Sequence, residues 1–152
     1  VKVFTVEKLL KDDLQVIDSM ENKSFIKIEE NNEFNFITIQ NPTESNRICI
    51  LEDIDFKLGD KDSMISLMIG EMNFNKTLFR DTNTFNVNYE LKKDKDKNLE
   101  VCSIRLYKNE SKNILKNFLF FLLPKGCVFV KLDKAVNNLE LTIKWREEII
   151  SQ

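Results

Sequence analysis

Period-two alternation of apolar residues is the feature that most limits what this chain can fold into. An apolar run, Phe118-Leu119-Phe120-Phe121-Leu122-Leu123, meets the turn-forming Pro124-Lys125-Gly126; beyond it Val128, Val130 and Leu132 share one parity. Leu139, Leu141, Ile143 and Trp145 then share a parity of their own. Side chains of a strand point alternately to its two faces, so this spacing buries one face of a sheet and cannot form the apolar stripe of a helix. The segment reads as strand, tight turn, strand, loop, strand.

The same period runs through most of the chain. Residues 25–30 predict a strand, and Asn31-Asn32 a tight connection to residues 33–40, with Phe34 and Phe36 on one face and Ile37 and Ile39 on the other. Asn41-Pro42-Thr43-Glu44-Ser45-Asn46 has turn composition. Ile48, Ile50, Ile54, Phe56 and Leu58 then keep one parity across a long strand, with a bulge expected near Glu52-Asp53. Gly59-Asp60-Lys61-Asp62 turns the chain into another apolar strand over residues 63–72, and residues 73–83 read as a loop or a short helical turn. Phe85, Val87 and Tyr89 alternate with polar neighbours, residues 92–98 form a charged hairpin tip, and residues 99–107 return as a strand. Residues 114–122 fit either a helix or a buried strand. Near the N-terminus, Leu9, Leu10, Leu14 and Ile17 recur at helical spacing and predict a short helix. The expected fold is all-β, a jelly-roll-like β-sandwich of roughly eight to ten strands. Residues 1–22 are an N-terminal arm or helix, and residues 23–152 the sandwich domain.

At 152 residues the chain suits one domain with a real core. Its 23 basic and 25 acidic residues give a net charge of −2, spread without a positive field, so nucleic acid is not an expected partner. No apolar run approaches the roughly 18 to 20 residues that span a bilayer, so no membrane span is expected. The first residues lack the pattern of a secretory signal, and Val1 in place of Met fits a processed chain or part of a longer one. Cys49, Cys102 and Cys127 are odd in number and lie in strand-like segments, which predicts small buried hydrophobes in a reduced protein. With no His there is no Ser-His-Asp or Cys-His pair and no imidazole ligand, and the isolated glycines make no phosphate loop.

Several patterns carry chemistry in other settings. Asp94, Asp96 and Asn98 imitate the start of a calcium loop, but Leu99 stands where Gly is needed and Arg105 where the closing Glu belongs, so a solvated tip is the plainer reading. Glu52, Asp53 and Asp55 could act as an acid–base or metal cluster, although carboxylates also alternate on any exposed strand face. Tyr89, Tyr107 and Trp145 are candidate glycan contacts, since an aromatic ring can stack on a sugar while carboxylates such as Glu147 and Glu148 take its hydroxyls. Trp145 also continues the core parity of Leu139, Leu141 and Ile143, which favours burial.

Ile37-Thr38-Ile39-Gln40-Asn41-Pro42-Thr43-Glu44-Ser45-Asn46-Arg47-Ile48-Cys49-Ile50 resembles the strand, Asn-Pro-x-x-Ser turn and strand of small jelly-roll proteins of tailed-phage particles. Leu123-Pro124-Lys125-Gly126 and the close Ile143-Lys144-Trp145-Arg146-Glu147-Glu148 are similar to the Pro-Gly turn and Trp-x-Glu-Glu ending of such proteins, here with Lys125 between Pro and Gly. The resemblance implies a non-enzymatic, cofactor-free virion component of head-fibre, capsid-decoration or tail-associated type, made in the host cytoplasm. It implies other virion proteins as partners and a homo-oligomer, commonly a trimer, with a cell-surface glycan as a further ligand. Leu9, Leu10, Leu14 and Ile17 are then the expected docking residues. A carbohydrate-binding module and a carboxylate-dependent enzyme around Asp53 and Asp55 are the alternatives.

Overall fold

The alternating segments pair with one another into a single connected antiparallel sheet, seen in a computed structural model that describes residues 6–10, 21–42, 44–71, 79–80, 85–93, 99–116 and 118–149. Its strands are β1 (Val6–Leu10), β2 (Asn22–Gln40), β3 (Arg47–Leu58), β4 (Ser63–Glu71), β5 (Phe79–Arg80), β6 (Asn86–Glu90), β7 (Leu99–Leu106), β8 (Ser111–Asn113), β9 (Phe118–Leu122) and β10 (Gly126–Ile149). No helix occurs among the described residues.

β10, 24 residues long, is the centre of the sheet. Along one side it pairs with β2 from Cys127 opposite Gln40 to Trp145 opposite Asn22. Along the other it pairs first with β4, over residues 126–132, and then with β3, over residues 139–149. β4 carries β7, β3 carries β8 and β9, β9 carries β1, and β2 carries β6.

The change of partner falls at a corner made by two complementary excursions. Lys131 faces Phe36 and Val136 faces Phe34, so residues 132–135 of β10 stand opposite Asn35 alone; Asn138 faces Glu29, so residues 30–33 of β2 stand opposite Asn137 alone. The Asn137 side-chain amide donates to the carbonyls of Glu30 (3.2 Å) and Asn31 (3.0 Å), which closes the second excursion. Asp133 Oδ1 accepts from Ser63 Oγ and from the Met64 amide, both at 2.7 Å, and fixes the start of β4 in the first. Burial pushes the Asp133 carboxyl up, but the Ser63 hydroxyl, the Met64 amide and the charges of Arg105 and Lys134 outweigh it and hold it below its ordinary range.

These irregularities correct several expectations drawn from parity. Asn31-Asn32 is not a hairpin turn, because both flanks of the excursion remain paired to the same strand. The loop expected before Leu139 is likewise part of β10. Phe34 and Phe36 do not share a face: the excursion opposite Asn35 places Phe34 in the main core and Phe36 in a second cluster with Met68, Cys127 and Phe129. In β3 the expected bulge is present, since Leu51 faces Trp145 and Asp53 faces Lys144, leaving Glu52 as the extra residue. It reverses the parity, so Cys49 and Leu51 join Ile54, Phe56 and Leu58 in the main core while Ile50 does not. A similar shift in β7, with Leu67 opposite Cys102 and Met68 opposite Glu100, lets both Val101 and Cys102 pack against that core. Residues 118–122, ambiguous by spacing, are the strand β9.

The N-terminal helix is not seen. Leu9 and Leu10 lie in β1, opposite Leu119 and Phe118 of β9, because hydrogen-bonding to an available strand edge overrides a weak helical spacing. Leu14 and Ile17 lie outside the described residues.

One continuous core joins the two stretches of sheet that meet at the corner. It gathers Ile37, Ile39, Ile65, Leu67, Val128 and Val130 from one stretch with Ile54, Phe56, Leu139, Leu141 and Ile143 from the other. Each such side chain, removed fully from water, contributes on the order of 1.5–3 kcal/mol before the entropy of ordering is subtracted. Trp145, 2% exposed, completes it with its indole N–H donating to Ser24 Oγ at 2.9 Å and the Phe85 ring edge-on at 5.4 Å. All three cysteines are free, with Cys49 and Cys127 buried.

The turn into β10 carries local strain. Gly126 donates to the Leu123 carbonyl at 2.8 Å, Pro124 occupies the first central position, and Lys125 takes the second with φ 79°. That position of a type II turn favours Gly, since a Cβ there meets the following carbonyl. Lys125→Gly is expected to raise stability by roughly 0.5–1 kcal/mol, the relief exceeding the entropy glycine loses on folding. Urea denaturation checks it, as a higher midpoint at unchanged slope.

Candidate functional site

The polar side chains of the sheet are drawn into holding its irregular points, and this decides what each candidate can do. At the β3 bulge the ladder is broken, and Asn113 repairs it: its Oδ1 accepts from the amides of Ile54 (2.9 Å) and Leu115 (3.1 Å), and its Nδ2 donates to Asp53 Oδ1 (2.7 Å). Lys144 Nζ lies 4.0 Å from the other Asp53 oxygen. Glu52 accepts from Arg146 Nε at 2.6 Å, and Arg146 also reaches Glu21 at 3.8 Å. Arg47 donates to Glu147 at 3.0 Å and lies 5.8 Å from the centre of the Trp145 ring. Glu52 and Asp53, two of the three carboxylates singled out as an acid–base cluster, therefore belong to a strip of ion pairs and hydrogen bonds across β3 and β10, while Asp55 stands in β3 between Thr142 of β10 and Asn113 of β8. Among the described residues no three Cys, Asp or Glu side chains gather as metal ligands would. Asp94, Asp96 and Asn98 lie outside the described residues.

The three candidate glycan contacts are not brought together. Trp145 is buried in the core. Tyr89, on β6, lies 5.3 Å from the Phe34 ring and donates its hydroxyl to Glu30. That hydrogen bond, with some burial and the Glu30 charge, pushes the Tyr89 hydroxyl up to about 12. Tyr107 is half exposed, with the Lys112 ammonium 5.7 Å from its ring centre. Of the expected docking residues, Leu9 and Leu10 belong to β1, and Leu14 and Ile17 are outside the described residues.

The segment that carries the phage resemblance has a structural purpose in its buried Asn41. The side-chain amide donates to the carbonyls of Arg47 (2.9 Å) and Leu122 (2.8 Å), and its oxygen accepts from Ser45 Oγ (2.7 Å). Its backbone exchanges bonds with Gly126 and Lys125 at 3.0 and 2.9 Å. One residue thus joins the end of β2 to the starts of β3 and β10 and the end of β9. Gln40 and Asn86 continue this buried polar strip, Asn86 Nδ2 donating to Gln40 Oε1 at 3.3 Å.

A cleft of about 250 Å³ lies over Lys27, Glu29, Lys57, Gly59, Asn109 and Asn138. Gly59 lets the Asn138 side chain approach closely there, since a Cβ would meet its oxygen and push that side chain aside. The cleft is shallow, and its charged side chains include the Lys27–Glu29 ion pair at 3.2 Å.

The feature that sequence reasoning missed is a strand edge. β6 covers β2 only from Phe36 to Gln40, the Asn35 amide and the Lys92 backbone bond each other beyond it, and Tyr89 reaches Glu30. Residues 23–29 have β10 on one side and no described strand on the other. Their outward side chains are Lys23, Phe25, Lys27 and Glu29, all exposed, with Phe25 at 58%. An aromatic residue on an otherwise charged parity was the one signal of this edge in the sequence.

Compared with protein-family models, curated proteins and solved structures, the chain gives no match.

Two outcomes follow from the polar contacts. Asn41→Ala leaves the buried Leu122 carbonyl and the part-buried Arg47 carbonyl without their donor, a loss of roughly 1–3 kcal/mol for the first and less for the second, so equilibrium unfolding is expected to show a loss of about 3 kcal/mol. Tyr89 has a folded-state value above its unfolded value of 10.0, so its contribution is complete below pH 10 and is lost as pH rises toward about 12. In melting curves across that alkaline range Tyr89→Phe is expected to lose less stability than the parent; equal slopes would contradict the Glu30 contact.

Proposed function

We propose that the protein is a non-enzymatic structural or attachment component of a phage particle, of head-fibre, capsid-decoration or tail-associated type, acting through contacts between subunits. The observation that carries this reading is the contrast between its polar and apolar surface. Asn41, Glu52, Asp53, Asn113 and Asp133 are engaged in fixing the sheet, while Phe25 and Tyr107 present large apolar area beside a strand edge that no described strand covers and beside a strand end. A surface of that kind favours association, because open backbone groups and exposed aromatics both gain by being covered. The finer architecture belongs to the same proposal: a jelly-roll-like sandwich is supported by the single core shared between the β4 and β3 stretches of the sheet. No helix among the described residues is long and apolar enough to cross a membrane.

Tyr107 favours a second reading, carbohydrate binding, because its exposed ring beside Lys112 offers a stacking face with a hydrogen-bond donor at its edge. Binding on a glycan array that disappears in Tyr107→Ala, with the melting temperature unchanged, would support it.

The primary reading is tested on particles purified by density gradient from the source of this sequence. Mass spectrometry is expected to find the chain in the particle band in proportion to other structural proteins. Its recovery only from the soluble fraction would overturn the reading.

A further inference from the structure

We infer that the edge formed by residues 23–29 of β2 pairs antiparallel with the same edge of a second copy of the chain, about a two-fold axis at Ile26. The inference rests on the reading above, that the protein acts through contacts between subunits, and it names the surface, the partner and the register.

A continuous sheet made by two identical edges has its two-fold axis perpendicular to the sheet, which keeps each face on its own side. Residues facing one another must then share parity, and the side chains on the exposed face must be compatible. With the axis at Ile26, Lys23 faces Glu29 of the second copy and Phe25 faces its Lys27, each contact occurring twice. Lys23 gains a carboxylate, Glu29 is shared between its own Lys27 at 3.2 Å and the incoming ammonium, and the Lys27 stem and head cover the exposed Phe25 ring.

Neighbouring registers lack this complementarity. An axis at Phe25 sets Lys23 against Lys27 and Glu21 against Glu29. One at Lys27 sets that lysine against itself. An axis at Ile28 does oppose Lys27 and Glu29, but it runs Phe25 and Lys23 into residues 31 and 33, within the excursion that leaves the ladder and is held by Asn137 and by the Lys61–Glu33 ion pair. The Ile26 register alone uses the open edge from end to end. Lysines on an edge ordinarily discourage pairing; here the Glu29 that each meets turns the same charges into a selection for one register.

Sedimentation equilibrium on the full chain tests the proposal. The parent is expected to be a dimer. Lys23→Glu is expected to raise its dissociation constant at least tenfold, and Lys23→Glu combined with Glu29→Lys to return it to within about threefold of the parent. All these positions are exposed, so circular dichroism should not change, and the melting temperature of Lys23→Glu should fall only by what the weaker association accounts for. In a Lys23→Cys, Glu29→Cys variant, mild oxidation should give a covalent dimer. The two cysteines of one chain stand about 20 Å apart along the strand and cannot bridge within it. A monomer at all concentrations, or an oligomer indifferent to both charge variants and not cross-linked, would overturn the edge pairing. Presence of the chain in purified particles under either outcome would leave the functional reading standing, whereas its absence from them would remove that reading whatever the dimer does.

Discussion

The paired β2–β10 ladder is the interaction on which the rest of this structure depends. It supplies the hydrogen bonds of two long strands, 19 and 24 residues, and it sets where every other strand can add. A regular ladder of that length would make one twisted ribbon with a single face to bury. The excursions at residues 132–135 and 30–33 are complementary, one extra stretch on each strand in turn, so the strands leave them still in register while β10 exchanges β4 for β3 as its other neighbour. β4 and β3 can then both lie on the same side of β10 and contribute side chains to one core. Asn137, Asp133 and Ser63 satisfy the backbone and hydroxyl groups that the corner removes from the ladder, which is the condition for irregular backbone to persist.

A second consequence concerns polar chemistry. Every break in strand pairing leaves backbone donors and acceptors that need partners, and this chain meets the need with Asn and Asp side chains: Asn41 between four strand ends, Asn113 at the β3 bulge, Asn35 at the end of β6. These asparagines thus have named structural uses. The same requirement explains why Glu52, Asp53 and Glu147 sit in contacts with Arg146, Asn113 and Arg47. Carboxylates beside a bulge are convenient counter-ions for the cations on the paired strand, and an interaction shared between neighbours on a sheet face stabilises by a few tenths of a kcal/mol to about 1 kcal/mol.

The all-β class, most strand positions and the bulge at Glu52 were legible because period-two burial is a local property of the sequence. What was not legible came from places where the period is interrupted. Parity carries no information across a bulge until its position is known, so Ile48 and Ile50 were grouped with Ile54, Phe56 and Leu58, whereas in β3 it is Cys49 and Leu51 that pack with those residues in the main core. Asn31-Asn32 and residues 133–138 have the composition of turns, and they do form irregular backbone; only the pairing on both flanks shows that the strands continue through them. Leu9 and Leu10 fit a helix as well as a strand, and the choice was made by the edge of β9, which no local pattern reveals. The open edge was hidden for the same reason, since neighbours in a sheet are a property of topology.

Edge status changes the meaning of the residues that carry it. Lys23, Phe25, Lys27 and Glu29 on an interior strand would be an ordinary exposed face with one ill-placed aromatic. On an edge they are a short pattern read in both directions, and its reversal about Ile26 places opposite charges together without any further substitution. The apolar side of the same segment is already committed, with Ile26 and Ile28 in the core and Ser24 bonded to Trp145, so the edge cannot slip by one residue without exposing them. The register of the intramolecular ladder thereby fixes the face that a second chain would meet. An interface so constrained needs little ordering on association, because its backbone is already held straight by β10 along its whole length.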